Sequence, residues 1–95
     1  MPPPTTRVAS SAAAIRAAEE LQAVDTPSAQ LRLQYAQDQY KEGQKLIAAG
    51  DNERADRVLA RAEADAELAV AITKQVRSEK AAIAAQVEVQ KLNTK

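Results

Sequence analysis

From Asn52 to the end the chain contains neither Gly nor Pro, and directly ahead of that run stands Gly50-Asp51. No other feature constrains the fold as much. A Gly just past a helix takes up the left-handed conformation that ends it, and an Asp after it accepts hydrogen bonds from the first free N–H groups of the next helix. Two helices joined through so short a turn pack antiparallel. The pattern predicts a hairpin turning at Gly50 and Asp51. Its second arm runs over about 52–92, on the order of 60 Å at 1.5 Å per residue.

Apolar spacing supports both arms. Ala29, Leu33, Ala36, Tyr40, Gly43 and Ile47 recur at alternating intervals of four and three, widened by Leu46, which is the helical period. Pro27 suits the first position of that helix, with Thr26 as its N-cap; the predicted span is 27–49. Gly43 lowers helix propensity by roughly 1 kcal/mol against Ala, so a close helix contact is the reason for it. In the last helix the seam is Ala55, Val58, Leu59, Ala62, Ala66, Ala69, Ile72 and Val76, continuing weakly through Ile83 and Val87. Glu53 with Arg57, and Arg61 with Asp65, are four apart and set to pair on its outer face.

Ahead of the hairpin, residues 1–6 (Met-Pro-Pro-Pro-Thr-Thr) read as a flexible or polyproline lead-in. Val8, Ala12, Ile15, Ala18 and Leu21 then repeat at three or four, predicting a helix over about 7–24; alternatively Ser10 and Ser11 cap one that begins a turn later. Asp25, Thr26 and Pro27 are expected to break it. The fold class is therefore all-α, three helices, with 7–75 as the bundle and 76–95 as an extension of the third. The expected core is Ile15, Leu21, Leu33, Ala36, Tyr40, Ile47, Val58, Leu59, Ala62, Ala66, Ala69 and Ile72. The first two helices, each about 27–35 Å long, reach only to about Thr73 on the third. The remainder pairs with a second copy, meets a partner, or frays, because an exposed helix of that length is marginal alone.

Composition excludes much of function. With no Cys there are no disulfides or thiolate ligands, and with no His the usual general base and the commonest zinc ligand are missing. Ala contributes 22 residues while Leu, Ile and Val contribute 18, and two Tyr are the only aromatics. Thirteen basic residues balance thirteen acidic ones, so no overall field draws the chain to nucleic acid or an anionic membrane. Ser10, Ser11, Ser28 and Ser78 lack a base and stand in no nucleophile motif. We expect no enzyme and no cofactor. Asp56, Glu63 and Glu67 share one helix face, but a di-metal bundle needs carboxylates on several helices with a Glu-x-x-His pair; a solvated face is the expectation.

The candidate partner-binding residues are Val76, Ile83 and Val87, with Lys74, Arg77 and Lys80 as a mild basic patch; Gly50, Asp51 and Pro27 are structural. Glu79 and Glu88 interrupt the patch and no aromatic is interleaved for base stacking, so nucleic acid is not expected as a partner. Tyr40 is expected to pack the hairpin, and Tyr35 either covers the first helix or faces solvent.

Two resemblances add to this. Gly43, Leu46, Gly50, Ala55, Leu59 and Ala62 fall where one tetratricopeptide hairpin carries its small and large residues, although Glu67 stands where such a unit ends near Pro. That likeness implies a cytoplasmic peptide-binding module holding an acidic tail through Lys41, Lys45 and Arg57. More of the chain, about residues 8–75, resembles a family of short Ala-rich bacterial cell-envelope proteins catalogued as a domain of unknown function, some fused ahead of an OmpA-like module. The residues that carry it are Ala12 to Val24, Pro27 to Tyr40, the turn Ala48-Ala49-Gly50-Asp51, and Ala55 through Ala71. It implies a non-catalytic structural or adaptor protein of the periplasm or the inner face of the outer membrane. Contact with a membrane would then come only through a lipid anchor, and the stretch as given shows no leader and no lipobox Cys.

Overall fold

The computed structural model describes residues 1–94 and consists of three helices. The hairpin turns where Gly50 and Asp51 stand. Helix α2 spans Pro27–Ala48 and helix α3 spans Asn52–Asn93. Gly50 adopts φ 81°. Its N–H donates to Ile47 O at 2.9 Å and the Asp51 N–H donates to Leu46 O at 2.8 Å. This pair of bonds satisfies the last carbonyls of α2. The Asp51 carboxylate then accepts from the Arg54 N–H at 3.4 Å and so caps α3. Pro27 occupies the first turn of α2, as expected; Thr26 is extended at the cap position but makes no side-chain capping bond.

Helix α1 spans Thr5–Glu20, which shifts both ends from the predicted 7–24. At the start, Pro4 needs only its carbonyl to serve as cap, and it accepts from the Val8 N–H at 3.0 Å; the lead-in shortens to four residues, and Pro4 is buried. Ser10 and Ser11 cap nothing: the Ser11 hydroxyl donates back to Arg7 O at 2.7 Å, and the Ser10 hydroxyl turns toward α3. At the other end α1 stops before Asp25 because Gln22 is left-handed, with φ 59°. Such a conformation costs a non-glycine residue on the order of 1 kcal/mol. In exchange the chain bends early enough for a single 3₁₀ turn, Ala23–Asp25, to bury Ala23 completely.

The expected core is right in place but not in depth. Ile15, Leu33, Ala36, Leu59, Ala62, Ala66 and Ala69 are buried, and Ala18, Ala23, Ala29, Leu46 and Ala55 join them. Leu21, Tyr40, Ile47, Val58 and Ile72 are only half-buried. Because the buried face of α3 is mostly alanine, helix axes come close and the larger side chains are left at the flanks of each crossing. The extreme case is Gly43, whose hydrogen faces fully buried Leu59: a Cβ there would stand 2.6 Å from Leu59 Cγ. Helix α2 lies against α3 along its length, and α1 packs chiefly on α3. Thr73, whose Oγ1 donates to Ala69 O at 2.8 Å, is the last buried residue of α3. From Arg77 to Thr94 every residue is exposed. The molecule is a rod, 69 × 19 × 16 Å, with a bundled head and a bare tail.

Candidate interaction surface

The bare tail exists because of a mismatch in lengths. Helix α2 has 22 residues and α3 has 42, so about 30 Å of α3 has no helix beside it. Along the whole of α3 one row of positions alternates three and four apart: Ala55, Leu59, Ala62, Ala66, Ala69, Thr73, Val76, Lys80, Ile83, Val87 and Gln90. The first six are buried beneath the other helices. Val76 is half-buried at the rim; Ile83 and Val87 are 61% and 44% exposed. One continuous seam is therefore covered in the head and open in the tail. Val89 and Leu92, also exposed, lie off that row on another face.

The basic residues divide. Lys74 and Lys80 are exposed. Arg77 is exposed too, but its guanidinium donates to Leu21 O. It thereby caps the carboxyl end of α1, which ends in Glu19 and Glu20 and has no basic residue in its last turn. A cation beside that end offsets both the glutamates and the unsatisfied carbonyls. Arg77 thus has a structural task that its place in a basic patch did not reveal.

The acidic face of α3 departs from the expected solvated row. The Arg7 guanidinium reaches Glu63 at 3.0 Å and Asp56 at 3.5 Å, and the Ser10 hydroxyl donates to the same Glu63 oxygen at 3.0 Å. Those two carboxylates hold α1 on α3, while Glu67 stays exposed. The hydrogen bond to Glu63 raises the Arg7 pKa above its ordinary value; burial opposes it in part, and the charge of Asp56 adds to the rise. Asp65 pairs with Arg32 of α2 at 3.6 Å instead of with Arg61, and Arg54, not Arg57, forms an ion pair at the start of α3, with Asp51. Among the described residues no group of three or more acidic side chains is arranged to hold a metal ion.

Lys41, Lys45 and Arg57 are all exposed, and Lys45 sits in the last turn of α2, where a cation complements the helix end. Tyr40 packs against the core from its edge. Tyr35 faces solvent, 43% exposed, with the Arg32 guanidinium 5.9 Å from its ring centre. Leu31, four residues before it, and Leu68 on α3 are also exposed; nothing in the helical spacing singled them out. Among the described residues no helix is long and apolar enough to cross a membrane. Comparison with family models, with curated proteins and with solved structures finds no match to this chain.

Proposed function

We propose that this protein is a non-catalytic adaptor or structural protein of the bacterial cell envelope that acts by helix–helix contact through the tail of α3. One observation supports the mode of action: a seam buried in the head runs on, in register, through exposed Ile83 and Val87. A second helix laid along the seam would bury those side chains as α2 buries Leu59 at Gly43. The envelope address rests on the Ala-rich resemblance of residues 8–75.

Replacing Ile83 and Val87 together by Asp tests the mode. Both are exposed, so the variant is expected to keep its urea midpoint and lose its association, whether with itself in sedimentation or with a protein crosslinked from residue 80 in cells. Association unchanged by the two charges would refute it. Fractionation of cells expressing the protein from its native gene tests the address; recovery in the cytosol alone would refute that part.

A further inference from the structure

We infer that the tail pairs with the tail of a second copy, antiparallel, about a two-fold axis level with residue 85. The inference rests on the helix–helix reading above and commits it to one occupant.

Direction comes first. On the covered part of the seam, α2 runs antiparallel to α3 and stops at Pro27, opposite the last buried turn of α3. A second helix arriving from the free end continues that arrangement on the same row of positions. A parallel partner would carry its own head to the same level as the first, where α2 already occupies this face.

Register follows from the residues. Between Thr73 and Thr94 the row reads Val76, Lys80, Ile83, Val87, Gln90. Antiparallel pairing sets each row position against one of the alternate kind. With the axis at 85, Ile83 meets Val87 of the second copy and Val87 meets its Ile83, giving two apolar layers. Lys80 then lies opposite Gln90 at both rims, its stem covering the layer while the ammonium stays in water. Ala84 comes beside Ala84 of the second copy. Sliding by a heptad sets Ile83 against Lys80 in one direction and against Thr94 in the other, and only the 85-centred register fills both central layers with branched apolar groups.

Length agrees with this choice. The uncovered stretch of seam spans about 25 Å, and another tail has that length before its own head intervenes. The contact is shorter than standard assemblies of about 1,200–2,000 Å² require, so the pair is expected to be weak and to form only as protein concentration rises.

The absence of native Cys permits a direct test. Ala84→Cys and Gln90→Cys are made separately in the full chain, and each is oxidised mildly at high protein concentration, with sedimentation equilibrium run in parallel. The antiparallel pair brings two copies of residue 84 together and holds two copies of residue 90 apart, so only Ala84→Cys should form a disulfide-linked dimer of twice 10.2 kDa. Adding Ile83→Asp and Val87→Asp should reduce that yield by about tenfold or more, because each apolar layer would then hold unpaired charge. Linking of Gln90→Cys as readily as Ala84→Cys would overturn the inference, as would linking that survives the two Asp substitutions. So would failure of both to link with a mass of 10.2 kDa throughout; that outcome removes the second copy as occupant, while crosslinking from residue 80 in cells still judges docking to another protein.

Discussion

Gly43→Ala sets two opposing effects against each other at one atom. In the middle of a 22-residue helix, exchanging Gly for Ala ordinarily stabilises by about 1 kcal/mol through propensity. Here the added methyl would stand 2.6 Å from both Cγ and Cδ2 of Leu59. Leu59 has no exposed surface, and Cγ is not a free end that can swing aside. Forcing a methyl into a packed site costs about 1–3 kcal/mol, so steric cost should exceed propensity and leave the variant about 1 kcal/mol less stable. Near the midpoint that corresponds to a fall of about 4–8 °C for a domain of this size. A double-mutant cycle isolates the cause. Leu59→Ala alone should cost about 2–5 kcal/mol through the cavity it leaves, and part of that should return when Gly43→Ala is added, because the new methyl then occupies vacated space. The coupling should be favourable by about 1–3 kcal/mol, read from urea midpoints followed by helical circular dichroism. If Gly43→Ala alone raised stability by the full propensity increment, with no coupling to Leu59, the close approach of α2 and α3 at this crossing would be wrong.

Four further outcomes follow from the same geometry. Gly50→Ala should cost about 1 kcal/mol in a urea titration, purely through its backbone at φ 81°, since a Cβ there meets nothing within 4 Å; Gly50→Asn should recover part of it. Arg7→Ala should accelerate amide hydrogen exchange in α1 while leaving the α2–α3 turn protected, because Arg7 ties α1 to Asp56 and Glu63. The pKa of Arg7 is raised on folding, so its linkage favours the folded state fully below the unfolded value and fades only as pH rises through the folded one; in the ordinary working range this group should add no slope to stability against pH. Ending the chain after Lys80 should reduce the helical signal yet leave the unfolding free energy from urea titration within about 0.5 kcal/mol, because residues 81–94 bury nothing in the head; a clear loss of stability would mean that the tail folds back.

What the amino-acid order revealed and concealed divides along physical lines. The hairpin turn was legible because it depends on local chemistry: Gly50 tolerates a left-handed backbone and Asp51 has an acceptor of the right reach, and neither needs a distant partner. The close crossing at Gly43 was legible because a Gly inside a helix is costly without a reason. The end of α1 was not, since Gln22 has no intrinsic preference for a positive φ; it is held there by burial of Ala23, a tertiary effect. Likewise Asp56 and Glu63 share a helix face, which reads as solvated until α1 lays Arg7 across it. Arg77 belonged to a basic run by proximity in sequence, and only the docked end of α1 gives it an acceptor. The tail was legible as surplus length, and its exposed Ile83 and Val87 as a weak continuation of the seam.

The boundary between covered and open seam is set by α2, not by any change in α3. Helix propensity and the spacing of threes and fours run through Thr73 and Val76 without interruption, so α3 itself carries no signal for where packing stops. Pro27 supplies it. Lacking an N–H, it suits the first turn of α2, and it holds Thr26 in the extended conformation. The turn at Gly50 sets the other end. Together these two residues fix how much of α3 is covered, and the rest is open by difference. Exchanging Pro27 for Ala would relieve that restriction on Thr26 and let α2 grow toward Asp25, at the expense of the 3₁₀ turn that buries Ala23. Because a buried Ala23 anchors the elbow, only limited growth is expected, seen as slower exchange at residues 26–28 with no change at Ile83. Protection spreading to Ile83 in the monomer would mean that α2, and not a second helix, is the natural cover for the open seam.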